Sequence, residues 1–300
     1  MSTRTPRIED RLIRGLKHRL TWWGEPSANP VVLLHGYMDR GLTWQFVVDQ
    51  LPESWSCVAP DWRGFGASAP APGGYWFPDY FADLEALLDV VVPQQRARVV
   101  GHSMGGHVAS LYAGIRPTRL AWLANLEGIG LPRTPSDRAP TRYAEWLDQL
   151  KAGPPAKRYP SIELLTEVLR RRNPRLPPER ARFLAEVWTV PAAGGERDLA
   201  ADPRHAFVNP VLHRREEAEA CWRAVEIPML LLLGELSAHL SRFGADASEA
   251  YFASIFRSLR QVRLPGCGHM MHHEDPEAVA REIIAFERSL SEAARSDTRS

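Results

Sequence analysis

The chain has 300 residues, with 37 basic against 36 acidic side chains, a formal net charge of +1 and 44% hydrophobic content. Such a balance gives no global attraction to nucleic acid or to an anionic membrane surface, and the scattered Cys57, Cys221 and Cys267 offer neither a disulfide framework nor a metal knuckle. No apolar run approaches the length that spans a bilayer, and residues 1–20 are charged throughout without a leader-like apolar stretch, so a cytoplasmic protein is expected.

Residues 1–10 read as a polar lead, and 12–24 carries the mixed alternation of an antiparallel strand or hairpin. Val31-Val32-Leu33-Leu34 is a continuous apolar run, as a strand buried on both faces requires, and a helix is expected over 42–51. Further runs of that kind lie at 56–59, 98–100, 120–126, 228–234 and 261–264, with helical patterns at 78–92, 247–259 and 276–290. Strands alternating with helices argue for a mostly parallel α/β sheet with helices on both faces and right-handed crossovers. Between 131 and 225 the alternation stops, leaving helix-like pieces at 141–151, 161–172, 178–188 and 214–224 separated by proline-rich joints. The expected division is a core at 11–130 and 226–290, an inserted helical cap at 131–225 and a disordered tail at 291–300.

Gly101-His102-Ser103-Met104-Gly105 fits G-x-S-x-G, entered by a β-branched run and left by a helical pattern in which Val108, Leu111, Tyr112 and Ile115 fall on one face. The serine of such a turn stands in a strained conformation at a helix N-terminus, where free N–H groups and the helix dipole favour a developing oxyanion. In open α/β sheets ligands bind beyond the carboxyl ends of the strands. Here those positions hold His35-Gly36-Tyr37, Asp61, Ser103, Glu127, Glu235 and His269, a set that contains a nucleophile, a base and acids. A serine hydroxyl needs a base to take its proton, and imidazole, with an unperturbed pKa of about 6.5, can accept that proton and return it.

With His35-Gly36 after the first buried strand, the elbow at 101–105 and Gly268-His269 upstream of Glu274-Asp275-Pro276, the sequence resembles the α/β-hydrolase superfamily over residues 12–290. The resemblance implies a cofactor-free, metal-free serine hydrolase acting on a carboxylic ester, thioester or related carbonyl. Ser103 is the implied nucleophile and His269 the base, and the backbone N–H groups of Tyr37 and Met104 form the oxyanion hole. Many relatives carry an aspartate shortly after the fifth parallel strand, where this chain has Gly234-Glu235-Leu236-Ser237. A subset places the acid after the strand that follows the elbow helix, so Glu127 is the expected third member, with Glu235 as the alternative. A C–C bond hydrolase, an acyltransferase or a ligand sensor of the same fold would carry the same residues.

The cap is expected to choose a small or medium apolar acyl substrate, with His35, His102, Tyr143, Trp146 and Trp188 lining the pocket. Phe183, His205 and Phe207 are further candidates, His107 is read as a packing residue, and His272 and His273 are read as lining or surface residues. The arginines at 170, 171, 172, 175, 180 and 182 are read as a solvated helix face, and Asp61 as a partner for Arg63.

Overall fold

Apolar runs too short for a helix become strands, and the computed structural model, which describes residues 3–155 and 157–297, sets them in one sheet. A hairpin of β1 (Arg7–Ile13) and β2 (Leu16–Trp23) precedes β3 (Val31–Leu34), α1 (Gln45–Val48), β4 (Cys57–Pro60), α2 (Pro78–Val91), β5 (Ala97–His102), α3 (Met104–Ile115) and β6 (Leu120–Leu126). Then come α4 (Ala139–Ala152), β7 (Arg158–Tyr159), α5 (Ile162–Arg172), α6 (Pro178–Val187), β8 (Thr189–Pro191), β9 (Arg197–Leu199) and α7 (Arg215–Arg223). They are followed by β10 (Met229–Gly234), α8 (Glu249–Ile255), β11 (Leu259–Leu264), α9 (Met271–Glu274) and α10 (Pro276–Asp297).

The 8-stranded sheet has the order β1-β2-β4-β3-β5-β6-β10-β11. Pairing is antiparallel from β1 to β2 and from β2 to β4, and parallel from β4 through to β11. The two-residue period of the strands sorts their side chains into two cores. Val32, Leu34, Leu231 and Leu233 join the helices α2, α3, α7 and α8 on one face. Val31, Leu33, Leu230 and Leu232 join α1 and α10 on the other. Every residue of β3 and β10 is buried, and the switch from antiparallel hairpin to parallel strands puts the chain reversals after β3, β5, β6, β10 and β11 at one edge.

Several local expectations change. The lead is ordered from Arg7 as β1, because Arg7–Ile13 pairs residue by residue with Leu16–Trp22. The helix at 42–51 is a 3-10 turn, Gly41–Trp44, running into the short α1. The stretch read as purely helical holds a 3-stranded antiparallel sheet, β7-β9-β8, whose strands of two and three residues are too short for alternation to show. Helix α7, expected with the cap, packs on α3 and buries Trp222 in the main core, where its Nε1–H donates to Ser110 Oγ at 3.0 Å. Helix α10 runs through the expected tail to Asp297, and residues 298–300 lie outside the described residues. Among the described residues no helix is long and apolar enough to cross a membrane.

Candidate active site

Strand β5 ends at His102, α3 begins at Met104, and Ser103 makes the whole turn between them at φ 48°, ψ −115°. Its N–H donates to Leu126 O at 2.9 Å and its carbonyl accepts from His107 N at 2.8 Å, so both flanking elements clamp the strained residue. The glycine after it answers to contact distance: a Cβ on Gly105 would lie 2.3 Å from Leu34 O. A Cβ on Gly36 would lie 3.2 Å from that of Ser103, which shows how closely the turn after β3 approaches the elbow. The amides of Tyr37, in that turn, and of Met104, at the start of α3, donate to no protein acceptor among the described residues.

His269, in the loop after β11, reaches Ser103 Oγ with Nε2 at 3.0 Å and Glu127 Oε2 with Nδ1 at 2.7 Å. Because a carboxylate only accepts, Nδ1 carries the proton and Nε2 offers its lone pair to the serine hydroxyl. Glu127 is fully buried at the end of β6, where Oε1 accepts from the Gly234 N–H at 2.6 Å and Oε2 also accepts from the Ser237 hydroxyl at 2.7 Å. Ser237, which stands where an acid is expected in many relatives, thus donates to Glu127. Glu127 stands at φ 50°, and its turn is braced by buried Asn125, whose Oδ1 accepts from Gly128 N at 2.6 Å and whose Nδ2 donates to Gly106 O and Gly128 O. Neither Asn125 nor Ser237 stands out in the sequence, since short polar residues near strand ends are common. Glu235 does not join this group: it is exposed and accepts from the Gly266 N–H at 3.0 Å.

Above Ser103 lies a cavity of about 940 Å³, walled by the core loops on one side and by α4 and the 204–211 segment on the other. Trp146 lines it as expected, together with the Tyr37 ring, Met104, His107, His205 and Phe207. Four expected lining residues lie elsewhere. His35 is wholly buried, its Nε2 accepting from Trp62 N at 2.9 Å, and His102 is buried behind His269, whose carbonyl oxygen its Nε2 meets at 2.8 Å. Tyr143 faces outward at 49% exposure, and Trp188 sends its Nε1–H away from the cavity to Asp39 Oδ1 at 2.7 Å. Phe183 packs against Phe46 instead.

Tyr75, Trp76 and Phe77, in the loop before α2, and His239 after β10 also line the cavity. His239 sits 4.4 Å ring to ring from His269, and burial above all, with the neighbouring imidazole, pushes its pKa down to about 4. Burial likewise pushes His205, stacked between Phe65 and Tyr75, down to about 4 and His107 to about 3. These imidazoles are neutral at neutral pH and contribute polarity without charge.

On the far side of His269 the rings of His102, His272 and His273 overlie one another at centroid distances of 4.0 and 3.8 Å and end at buried Asp39. Oδ1 of Asp39 accepts from Arg40 N, Thr43 Oγ1 and Trp188 Nε1, and Oδ2 faces His272 Nε2 at 3.3 Å. Burial alone would raise this carboxyl, but His273 and His272 more than reverse the effect and hold it well below the usual carboxylate range. Asp39, His102 and His272 each offer a donor atom, all within 4.8 Å of one another, and are the one group among the described residues with metal-ligand composition at that spacing. Nitrogen ligands sit about 2.0–2.1 Å from a zinc-type ion, whereas here the His102 and His272 rings stand 4.0 Å apart at a 38° tilt and the carboxylate is already engaged by Arg40 N, Thr43 Oγ1, Trp188 Nε1 and His272 Nε2. The cluster therefore reads as a pillar of packed rings beneath the histidine loop, anchored at one end by the His272–Asp39 contact and at the other by His102 on the His269 carbonyl.

Asp61 is not the partner of Arg63: it accepts from Gly41 N at 2.7 Å and Ala67 N at 2.8 Å, and Arg63 pairs with Asp83 through Nε at 2.6 Å and with Asp79. In the arginine-rich stretch, Arg175 pairs with Glu274, Arg180 with Glu277 and Arg182 with Glu163, all outside the cavity.

A doubly wound sheet with a serine elbow, a histidine after the last strand and an acid after β6 defines a class, and comparison with known proteins fits it. Residues 31–282 match the model of the alpha/beta hydrolase family. The chain is 32% identical, over 88% of its length and 83% of the relative, to a serine hydrolase-like protein of Danio rerio. It is 26% identical to 2-(acetamidomethylene)succinate hydrolase of Mesorhizobium japonicum, over 87% of this chain and 89% of that one. Among solved structures, the thioesterase domain from the curacin biosynthetic pathway superposes with a TM-score of 0.80 at 25% identity, covering 93% of this chain and 99% of that one. The chain therefore belongs to the alpha/beta hydrolase family.

Proposed function

We propose that this protein is a serine hydrolase that cleaves a carboxylic ester, thioester or related carbonyl compound through an acyl-enzyme. One observation carries the reading: an unbroken line of hydrogen bonds from Ser103 Oγ through His269 to buried Glu127, with spans of 3.0 and 2.7 Å. Ser103 attacks the carbonyl as its proton passes to His269 Nε2, and the negative charge on the carbonyl oxygen is taken by the amides of Tyr37 and Met104. His269 then gives the proton to the leaving alcohol or thiol. Water, deprotonated by the same nitrogen, releases the acid and restores the serine. Glu127 keeps the imidazole in the productive tautomer and offsets the imidazolium charge. The serine hydrolase-like relative and the thioesterase neighbour support the reaction class, and the aromatic lining of the cavity suits an apolar acyl group.

The test is labelling with a fluorophosphonate together with hydrolysis of 4-nitrophenyl esters. The expected outcome is a single adduct on Ser103, with both labelling and turnover lost in Ser103→Ala. Turnover that persists in Ser103→Ala would remove the serine from the mechanism.

A further inference from the structure

Two arginines line the cavity, and their surroundings differ in kind. Arg204 is already neutralised: its Nη2 lies 2.6 Å from Asp202 Oδ2, and its guanidinium stands 5.8 Å from the centre of the Tyr75 ring. Arg142, in the first turn of α4, is partly buried and has no carboxylate partner among the described residues. Its Nε–H donates to Asn209 O at 2.7 Å, which ties the helix to the 204–211 segment beside it in the same wall. The first turn of α4 contains no acidic residue, so the positive end of the helix adds to the same field. Glu127, the one carboxylate of the cavity lining, is engaged by Gly234, Ser237 and His269. The lining histidines are neutral, as described above. The cavity lining thus presents one positive charge without an ion-pair partner among the described residues, beside a largely aromatic interior.

Building on the hydrolase reading, we propose that the substrates carry a carboxylate at the end remote from the scissile carbonyl and that Arg142 binds it. With Nε held by Asn209, the Nη1–Nη2 edge of the guanidinium is the fork left to a ligand, and its two parallel N–H groups match the two oxygens of a carboxylate. Trp146 and Leu150 follow Arg142 by one and two helical turns and also line the cavity, so the same helix that holds the anion covers the apolar chain leading back to Ser103. The substrate class is therefore the half-ester or half-thioester of an apolar dicarboxylic acid. The arginine-rich stretch at 170–182 contributes no residue to this site.

Two measurements separate this proposal from the reaction on which it rests. In the first, kcat/KM is compared for 4-nitrophenyl hydrogen suberate and 4-nitrophenyl octanoate, which differ only in the terminal carboxylate. The wild-type enzyme should favour the suberate, and the ratio of the two values should fall about 10-fold to 100-fold in Arg142→Gln, chiefly through KM, with part of the preference restored in Arg142→Lys. In the second, calorimetry follows the binding of suberamate, an unreactive amide with a free carboxylate, against octanamide; suberamate binding should weaken by a similar factor in Arg142→Gln. Hydrolysis of both esters with a ratio indifferent to Arg142, or a wild-type preference for the octanoate, overturns the anion site and leaves the hydrolase standing. Arg142-dependent binding of suberamate by a protein that hydrolyses neither ester keeps the anion site and overturns the hydrolase reading.

Discussion

In strand β10 every residue from Met229 to Gly234 is buried, whereas in the fourteen-residue helix α4 no residue is. Helix α4 lines the cavity with Arg142, Trp146 and Leu150, and the strand leads into the segment that carries His239 to it. The strand belongs to a sheet packed on both faces, and Ser103, Glu127 and His269 stand just beyond the ends of such strands. The helix is held by few contacts, among them Arg142 to Asn209 O and Gln149 Oε1 accepting from Val208 N at 2.7 Å. Its apolar stripe of Tyr143, Trp146, Leu147 and Leu150 is only partly covered. On the proposed function, the contrast teaches that chemistry and selection would be carried by parts packed to very different degrees, so that changes in one need not disturb the other.

The largest break in that division is expected at Glu127. Glu127→Gln should lower kcat by about 10³-fold to 10⁴-fold with little change in KM, whereas Glu235→Gln, on an exposed side chain outside the hydrogen-bonded line, should have a minor effect. Steady-state kinetics on one ester decides it, and equal losses in both variants would contradict the assignment. For stability, Leu231→Ala removes a side chain with no exposed surface and should cost about 2–5 kcal/mol in urea unfolding. Leu147→Ala, at 50% exposure on α4, should stay within about 0.5 kcal/mol, and comparable costs would show that the cap is packed as tightly as the sheet.

A smaller effect is expected at the junction of the two regions, where Trp188 and Arg40 join α6 and the strand after it to the turn after β3. Trp188→Phe removes one donor from the ionised Asp39 and should cost about 1–3 kcal/mol, with a rise in KM larger than any fall in kcat. Unchanged stability and KM would mean that this contact does not set the position of the cap.

The mildest perturbation is pH. His107, His205 and His239 have folded pKa values of about 3, 4 and 4, below the ordinary imidazole value of about 6.5 in the unfolded chain. As pH falls below about 6.5 the unfolded chain takes up protons that the folded one refuses, so their contribution to stability, complete above that pH, is progressively lost towards pH 4. Thermal unfolding at pH 7.5, 6 and 5 should show a steadily falling midpoint, less steep in His239→Gln. A midpoint that rises on acidification would contradict the direction of these shifts.

The core was legible because each of its strands is a short, wholly apolar run, and the site was legible wherever function demands a local pattern. Glycines around Ser103 are forced by contacts shorter than a Cβ allows, and the placement of Glu127 follows from the serine at 237. The cavity was less legible, since its walls meet across long stretches of chain. Tyr75 Oη donates to Asp202 at 2.8 Å over 127 positions, and nothing local in Tyr75-Trp76-Phe77 marks that contact. The cap strands β7, β8 and β9 contain Arg158, Pro191, Arg197 and Asp198, residues that follow no strand period and pair only because the flanking segments bring them together. The histidines misled for a related reason: an imidazole buried under the site and one lining it are written with the same letter.

Ser103 and Glu127 are both non-glycine residues at positive φ, a backbone conformation that costs roughly 1–3 kcal/mol at each position. A population of variants selected for heat resistance alone would therefore find a gain at Ser103, through glycine or asparagine, and would lose the proposed nucleophile in taking it, whereas at Glu127 the three donors left without an acceptor offset any relief of strain. Thermostability screens on this scaffold need an activity filter, and Ser103→Gly, melting above Ser103→Ala, is the variant that would reveal the trap.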